Sequence, residues 1–212
     1  MSAEKESDNK PDRRARRKIK TKSLLINAAI KIFNEKGINN TSVNDITEEA
    51  DVAYGTFYNY FPSIEDLAPE VIYVKMKEHV EQVRLMQHGN DDIAVVVAVS
   101  VREMANKLLS DKTMHWLSER PFLMLDGLMR GITEDAAAHN RVGVSTGRFV
   151  LPASQKRVHT YVLWGMTGLL QDALRNPEEA EGLTDDITRI YLRVLGLSDK
   201  DINDVLARRP SL

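Results

Sequence analysis

The 212-residue sequence predicts an all-helical protein. Apolar residues recur three and four positions apart along most of the chain, as they do in amphipathic helices, and no segment alternates as a half-buried strand does. Hydrophobic residues make up 42% and charged residues 28% of the chain, a composition typical of folded globular proteins. We expect three parts: a basic arm over residues 1–18, a small three-helix unit over 19–63 and a larger helical bundle over 64–212.

The composition also excludes several classes of protein. The chain has no cysteine, so it forms neither a disulfide framework nor a thiolate site. The N-terminal residues are polar and charged, and the longest apolar run, Ile93 to Val99, is about a third of the length of a membrane span. We therefore expect a cytoplasmic protein that is neither exported nor inserted into a membrane.

The N-terminal arm is expected to be disordered, because residues 1–12 are polar and show no periodicity. The first helix is predicted from Ile19 to Lys36, where Gly37 ends it. Its apolar stripe consists of two rows with i,i+4 spacing, Leu24, Ala28 and Ile32 beside Leu25, Ala29 and Phe33.

Two short helices should follow. Ser42 with Asp45 three residues later resembles a capping box and predicts a helix from there to about Ala50. A third helix is predicted over 54–60, before the turn at Pro62 and Ser63.

The bundle begins with a long helix that Ser63, Glu65 and Asp66 open and that continues to about Gln87. The run from Ile93 has strand propensity, but its continuation to Ser110 fits a helix surrounded by other elements. Glycine and proline residues divide the remainder into predicted helices at 113–119, 122–131, 133–146, 153–175, 184–196 and 199–208.

Aromatic residues are concentrated between Asp51 and Phe61, which hold five of the chain's thirteen. Phe57 and Phe61 share one face of the predicted third helix and can anchor it, whereas Tyr54 and Tyr58 share another. Tyrosine hydroxyls and amides on an exposed helix can hydrogen-bond the phosphates and base edges of a DNA major groove. The spacing alone equally allows an amphipathic helix with surface tyrosines.

The segment from Leu25 to Leu67 resembles the N-terminal domain of the TetR family of bacterial transcriptional regulators. Four motifs occur in the family's order and spacing: Ala28-Ala-Ile-Lys-Ile-Phe-Asn-Glu-Lys-Gly37, Thr41-Ser-Val-Asn-Asp-Ile46, Gly55-Thr-Phe-Tyr-Asn-Tyr-Phe-Pro-Ser63 and Glu65-Asp-Leu67. Beyond residue 67 the resemblance is one of helical layout.

The resemblance implies a helix-turn-helix whose third helix enters the major groove, in a homodimer that binds two half-sites of double-stranded operator DNA. One residue departs from the family pattern: Ile64 stands where many relatives carry a phosphate-binding lysine. By analogy with the family, Thr41 and Ser42 are expected to contact phosphate and Asn44 a base. Tyr54, Gly55 and Thr56 are expected to face base edges or adjacent phosphate, and Tyr58 and Tyr60 to hydrogen-bond the DNA backbone. Asn59 is also expected to contact the DNA.

Charge is unevenly distributed along this region. Nine basic residues and one acid lie between Arg13 and Lys36, whereas residues 37–74 contain seven acids and no lysine or arginine. An acidic reading unit is repelled by DNA, so the affinity should depend on the basic arm. The arm's expected DNA contacts are Arg13, Arg14, Arg16, Arg17 and Lys18; a solubilising tail is the alternative.

The resemblance also implies that the larger domain dimerises and binds a small-molecule effector. Methionines beside aromatic residues suit an adaptable apolar cavity, although they also serve as core filling. The expected lining residues are Met104, Trp116, Phe122, Met129, Phe149 and Tyr161. For the dimer interface the expected residues are Val158, Val162, Gly165, Gly168 and Leu169, because glycines near a helix midpoint destabilise it unless a partner packs closely there.

Other functions are weighed against this one. The five histidines lack the spacing of helical metal sites, and the pairs His115 with Glu119 and Asp135 with His139 are more simply solvated helix pairs. No phosphate-binding loop or nucleophile motif is present, so we expect no enzyme activity, metal or cofactor. The sequence favours a ligand-responsive transcriptional regulator, as a repressor; a helical small-molecule carrier that does not bind DNA is the alternative.

Overall fold

The computed structural model describes residues 13–87 and 92–208, and within these ranges the protein contains helices and no strand. The predicted all-helical fold is confirmed. The helices are α1 (Arg13–Lys36), α2 (Val43–Glu49), α3 (Tyr54–Phe57), α4 (Ile64–Gln87), α5 (Ile93–Ser110), α6 (Lys112–Ser118), α7 (Pro121–Ser145), α8 (Gln155–Arg175), α9 (Leu183–Val194) and α10 (Asp199–Ala207), with short 3-10 turns at Ile38–Asn40 and Pro177–Ala180.

The N-terminal unit is held together by its apolar stripe. Phe33 of α1, Ile46 of α2 and Phe57 of α3 are all fully buried and form its centre. Helix α1 also packs against α4 and α6, so the unit shares its core with the bundle. Residues 54–57 are therefore linked to the larger domain through α2 and α1.

Helix α1 begins earlier than the sequence predicted. Residues 13–18, expected in a disordered arm, are helical, because arginine, lysine and alanine are strong helix formers and extend the helix that Leu25 and Phe33 anchor. Residues 1–12, the rest of the predicted arm, lie outside the described residues. Helix α3 is shorter than predicted, since it ends at Phe57 and residues 58–60 form a turn.

The bundle is built around the contact between α4 and α7. Two helices were predicted on either side of Gly131, but α7 continues through it. A Cβ atom at Gly131 would lie 2.5 Å from Cβ of Met76 on α4, and one at Gly127 would lie 2.7 Å from Cβ of Ile72. These glycines allow two helices to approach closely, and this contact explains why Gly131 does not break α7.

Helix α5 is buried along nearly its whole length, as predicted from its apolar run. It packs against α4, α7, α8 and α9. None of the described helices combines the length and apolarity that crossing a bilayer requires.

Candidate DNA interface and ligand cavity

Helices α2 and α3 form a compact helix-turn-helix. The Ser42 hydroxyl accepts a hydrogen bond from the Asp45 amide, and the Asp45 carboxylate accepts one from the Ser42 amide, which completes the predicted capping box. Asp51, in the turn between the helices, has a φ of 52°. This left-handed residue lies in the turn that returns the chain so that α3 packs against α2.

Two exposed tyrosines, one in α3 and one in the turn that follows it, form a pair. The hydroxyls of Tyr54 and Tyr58 lie 3.1 Å apart, and their rings meet edge to face with centroids 5.6 Å apart. Beneath them the buried Phe57 ring contacts that of Tyr58, with centroids 5.5 Å apart. The hydrogen bond with Tyr54 raises the pKa of Tyr58, so the Tyr58 phenol remains neutral and able to donate.

Most of the predicted DNA-contacting residues are accessible at the surface of the protein. No other part of the described chain lies within 4 Å of a Cβ built on Gly55, which leaves that position open to close approach. Thr56 and Tyr60 are half-buried. The exposed members are Ser42, Asn44, Tyr54, Gly55, Tyr58 and Asn59.

Thr41 does not belong to this surface. It is only 9% exposed, and its hydroxyl donates to the carbonyl oxygen of Gly37 at 2.7 Å. The expected phosphate contact is therefore corrected: Thr41 stabilises the turn between α1 and α2, and its hydroxyl is already engaged.

The acidic and basic blocks of the sequence meet in space. Lys31 and Lys36 of α1 contact Glu49 and Asp45 of α2, each with an N–O distance of 2.7 Å. Hydrogen bonding by Lys36 and Ser42 holds the pKa of Asp45 far below its ordinary value. The sequence does not reveal this neutralisation, because the partners on α1 and α2 are distant along the chain.

The first turns of α1 remain strongly basic. Arg13, Arg14, Arg16, Arg17 and Lys18 are all exposed. Cations at a helix N-terminus oppose the helix dipole, whereas an anion there is favoured. This end of α1 is consequently suited to bind phosphate.

A cavity lies between α4, α5, α7, α8 and α9, with about 60 Å³ of space for water-sized occupants. Of the six residues predicted to line it, Met104 does so. Phe149 is buried against Gly143 elsewhere, and Trp116 stacks beneath the Arg120 guanidinium, 3.8 Å from the ring centroid. The predicted lining is corrected for Trp116, Phe122, Met129, Phe149 and Tyr161, of which Phe122 and Tyr161 are largely exposed.

Polar groups interrupt the apolar wall of this cavity. His79 Nε2 lies 3.3 Å from the Ser100 hydroxyl, and Arg84 donates to the Asp135 carboxylate at 2.6 Å. Burial lowers the pKa of His79 to about 4 and also lowers that of His159. Sequence reasoning missed these residues, since isolated histidines on apolar faces carry no recognisable motif.

Helix α8 has an exposed face that includes Gly165, Gly168 and Leu169. Nothing in the described chain lies within 4 Å of a Cβ built on either glycine, and the exposed Trp164 ring meets Phe122 of α7 edge to face at 5.6 Å. Val158 is buried, and Val162 lines the cavity. These two valines point inward, so their predicted place in the interface is corrected.

The structure shows no group of three or more histidine, aspartate or glutamate residues arranged to hold a metal within its described residues. Asp135 of the predicted pair with His139 also binds Lys77 and Arg84 of α4. The side chain of His115 lies outside the described part of the structure, so its pairing with Glu119 remains a prediction.

The N-terminal part of the chain is similar to known bacterial regulatory proteins. Residues 25–71 match the family described as bacterial regulatory proteins, tetR family. The chain is 33% identical over 79 residues to the HTH-type regulator YvdT of Bacillus subtilis, covering 37% of this chain and 41% of that one. It is 30% identical over 101 residues to the HTH-type regulator LuxR of Vibrio harveyi, covering 47% of each. The matches thus span less than half the length of these relatives.

The structural likeness extends further along the chain. RolR in complex with resorcinol has a TM-score of 0.80 and 26% identity, with 93% of this chain and 98% of that chain covered. FadR of Thermus thermophilus in complex with lauroyl-CoA, at 16% identity, shares the fold with a TM-score of 0.66, over 84% of this chain and 96% of that one. The chain is therefore similar over residues 25–71 to bacterial regulatory proteins of the tetR family, and it shares the fold of RolR over most of its length.

Proposed function

We propose that this protein is a homodimeric, sequence-specific DNA-binding transcriptional regulator, acting as a repressor that a small-molecule effector releases from its operator. The observation that carries the proposal is the exposed pair formed by Tyr54 of α3 and Tyr58 of the turn after it, which packs on buried Phe57. A helix-turn-helix uses such a face to read base edges and phosphates. The relatives named as HTH-type transcriptional regulators support the same function.

Two parts of the surface make different contributions to DNA binding. The α3 face, with Asn44 from α2, supplies hydrogen-bonding groups that distinguish sequences. The exposed arginines at the start of α1 supply charge that is independent of sequence. Ion pairs with α1 reduce the repulsion between the acids of α2 and the DNA phosphates.

The dimer forms through the exposed face of α8 together with α9. Gly165 and Gly168 leave space for close approach of a second helix, and Ile190 of α9 is 50% exposed. An isologous contact between two copies of this face would cover those apolar groups and set the separation of the two α3 helices.

The cavity is the proposed effector site. The chain is similar along most of its length to RolR, which was crystallised with resorcinol, and this likeness supports a small ligand. Helix α4 lines the cavity and begins seven residues after the end of α3, so a ligand that favours one position of α4 alters operator affinity through its differential affinity for the two states.

The test removes the two phenol hydroxyls and retains the rings. Tyr54→Phe with Tyr58→Phe should weaken binding to a duplex from upstream of the protein's own gene by roughly tenfold or more, because the hydroxyls can no longer hydrogen-bond base edges or phosphates. Fluorescence anisotropy measures the affinity. Tyr73→Phe on α4 is the matched control and should bind as the original chain does.

Unchanged affinity in the double variant would contradict the role of the α3 face. A protein that binds a small molecule but no duplex at low salt would be a carrier, and this outcome would overturn the regulator function.

A further inference from the structure

His159 on α8 presents two unsatisfied polar atoms to the cavity. It is 7% exposed and lines the cavity, yet neither ring nitrogen has a hydrogen-bond partner within the described residues. Buried polar atoms almost always have partners, and leaving one unpaired costs about 1–3 kcal/mol. A group retained at that cost inside a cavity is suited to bond an incoming molecule.

The chemistry of the ring limits what that molecule can be. A neutral imidazole has one N–H donor and one acceptor nitrogen, and a hydroxyl group can pair with either one. Burial lowers the pKa of His159, which keeps the ring neutral. Most of the surrounding wall is apolar, including Val97, Val101, Met104 and Ile132, so the body of the ligand should be apolar too.

The two charged side chains that line the cavity, Arg84 and Asp135, neutralise each other. Arg84 and Asp135 both line it and are paired at 2.6 Å, and Lys77 reaches the same carboxylate at 3.3 Å. Burial keeps His79 neutral by lowering its pKa to about 4, and it also lowers the pKa of His139. A charged ligand would have to break the Arg84–Asp135 pair or remain uncompensated, which a buried site penalises.

We propose that this cavity binds a small uncharged molecule whose apolar body carries a hydroxyl group, and that His159 hydrogen-bonds that hydroxyl. The proposal rests on the assignment of the cavity as the effector site. His159 is thereby the residue that distinguishes hydroxylated ligands from hydrocarbons of the same shape.

The experiment uses ring compounds of similar size with the full chain in isothermal titration calorimetry. Phenol and resorcinol are the hydroxylated probes, toluene lacks the hydroxyl, and benzoate is anionic. We expect the hydroxylated probes to bind at least tenfold more tightly than benzoate. His159→Phe should weaken binding of phenol and resorcinol by about tenfold while leaving that of toluene unchanged or stronger.

Two further variants separate hydrogen bonding from shape. His159→Gln keeps a donor and an acceptor and should recover most of the affinity for phenol. Met166→Leu, on the same helix and the same wall, should change the affinities for phenol and toluene by the same factor. Without ligand, His159→Phe should melt at or above the temperature of the original chain, because it removes an unpaired buried polar group.

Several results would overturn the proposal: no binding of either hydroxylated probe, equal reductions in affinity for phenol and toluene in His159→Phe, tighter binding of benzoate, or a lower melting temperature for the ligand-free variant. Duplex binding is measured on the same preparations without ligand. A chain that binds phenol through His159 but ignores all duplexes would refute the proposed regulator and leave this ligand assignment intact.

Discussion

The turn between α2 and α3 depends on a single backbone conformation. Asp51 occupies the left-handed region with φ 52°, where a Cβ atom is unfavourable and a β-branched side chain more so. Aspartate tolerates this region better than most residues other than glycine and asparagine.

Substitutions at Asp51 should therefore change the stability of the protein according to how well the new residue adopts a positive φ. Asp51→Val should lower the free energy of unfolding by about 1–2 kcal/mol, whereas Asp51→Gly should leave it unchanged or raise it. Urea denaturation followed by circular dichroism measures both. Equal effects of valine and glycine would contradict a backbone cause.

Single-residue roles could be predicted from the sequence where a motif and an exposed position coincide. Tyr54 and Tyr58 lie on the surface expected from their spacing. Thr41 has the right motif, but its hydroxyl bonds a local carbonyl, and only the folded turn reveals that competition. His159 could not be found from the sequence, because its significance lies in partners that it lacks after folding.

At the scale of helices, the start of α1 concentrates positive charge where the helix dipole is already positive. Phosphate binding would relieve both effects. The sequence located this charge correctly, but the prediction that residues 13–18 are disordered was wrong, because they are helical.

Neutralising that charge should change the salt dependence of DNA binding. Replacing Arg13, Arg14, Arg16 and Arg17 with glutamine preserves helix propensity and should weaken binding to any duplex. The slope of log affinity against log salt should decrease by about 0.9 for each phosphate that the variant no longer neutralises. The control is a Lys31→Gln variant, whose lysine pairs with Glu49 and should alter the slope little; an unchanged slope in the quadruple variant would refute the role of this helix end.

Glycines on two helices have opposite environments. Those at 127 and 131 of α7 face α4, whereas those at 165 and 168 of α8 face open space in the single chain. Sequence alone detects the small residues, and the folded chain shows which of them already have a neighbour. The open pair supports an interface between copies.

Gly165→Leu should yield monomers with weakened binding to a two-half-site duplex, since the added side chain prevents close approach of the second helix. Analytical ultracentrifugation measures the oligomeric state. Asp204→Leu on the exposed side of α10 adds similar apolar surface elsewhere and should leave the state unchanged. A stable, fully binding Gly165→Leu dimer would be evidence against this interface.

At the scale of the whole molecule, buried histidines make stability depend on pH. Burial lowers the pKa values of His79, His139 and His159, so the unfolded chain binds more protons as pH falls below about 6.5. Nearby Lys107 lowers the pKa of His79 further. Their contribution is fully present above pH 6.5 and is lost progressively towards pH 4.

The free energy of unfolding should decrease when the pH is lowered from 7 to 5. If the pH is lowered further to 4, the loss due to His79 alone should reach about 3 kcal/mol. Urea midpoints at the two pH values measure the change. In a variant carrying His79→Gln and His159→Gln the difference should shrink, and an identical pH dependence in that variant would contradict this cause.

The helical architecture could be predicted from periodicity, because helix formation depends largely on local sequence. The position of the cavity and the pairing of α1 cations with α2 acids could not, since they depend on contacts between distant segments. The glycine contact between α4 and α7 escaped prediction for the same reason.

The carboxylate of Glu70 on α4 contacts Lys22 of α1 at 3.2 Å and Arg130 of α7 at 2.9 Å. One acid thus ties the reading unit to the bundle, and a swivel of the unit on its own would leave one of these cations without its partner. In a ligand-free dimer, this coupling would make the distance between the two recognition surfaces follow the position of α4. The spacer between operator half-sites should then tolerate little variation in length, because the two recognition surfaces of a dimer cannot move apart independently to match an inserted base pair.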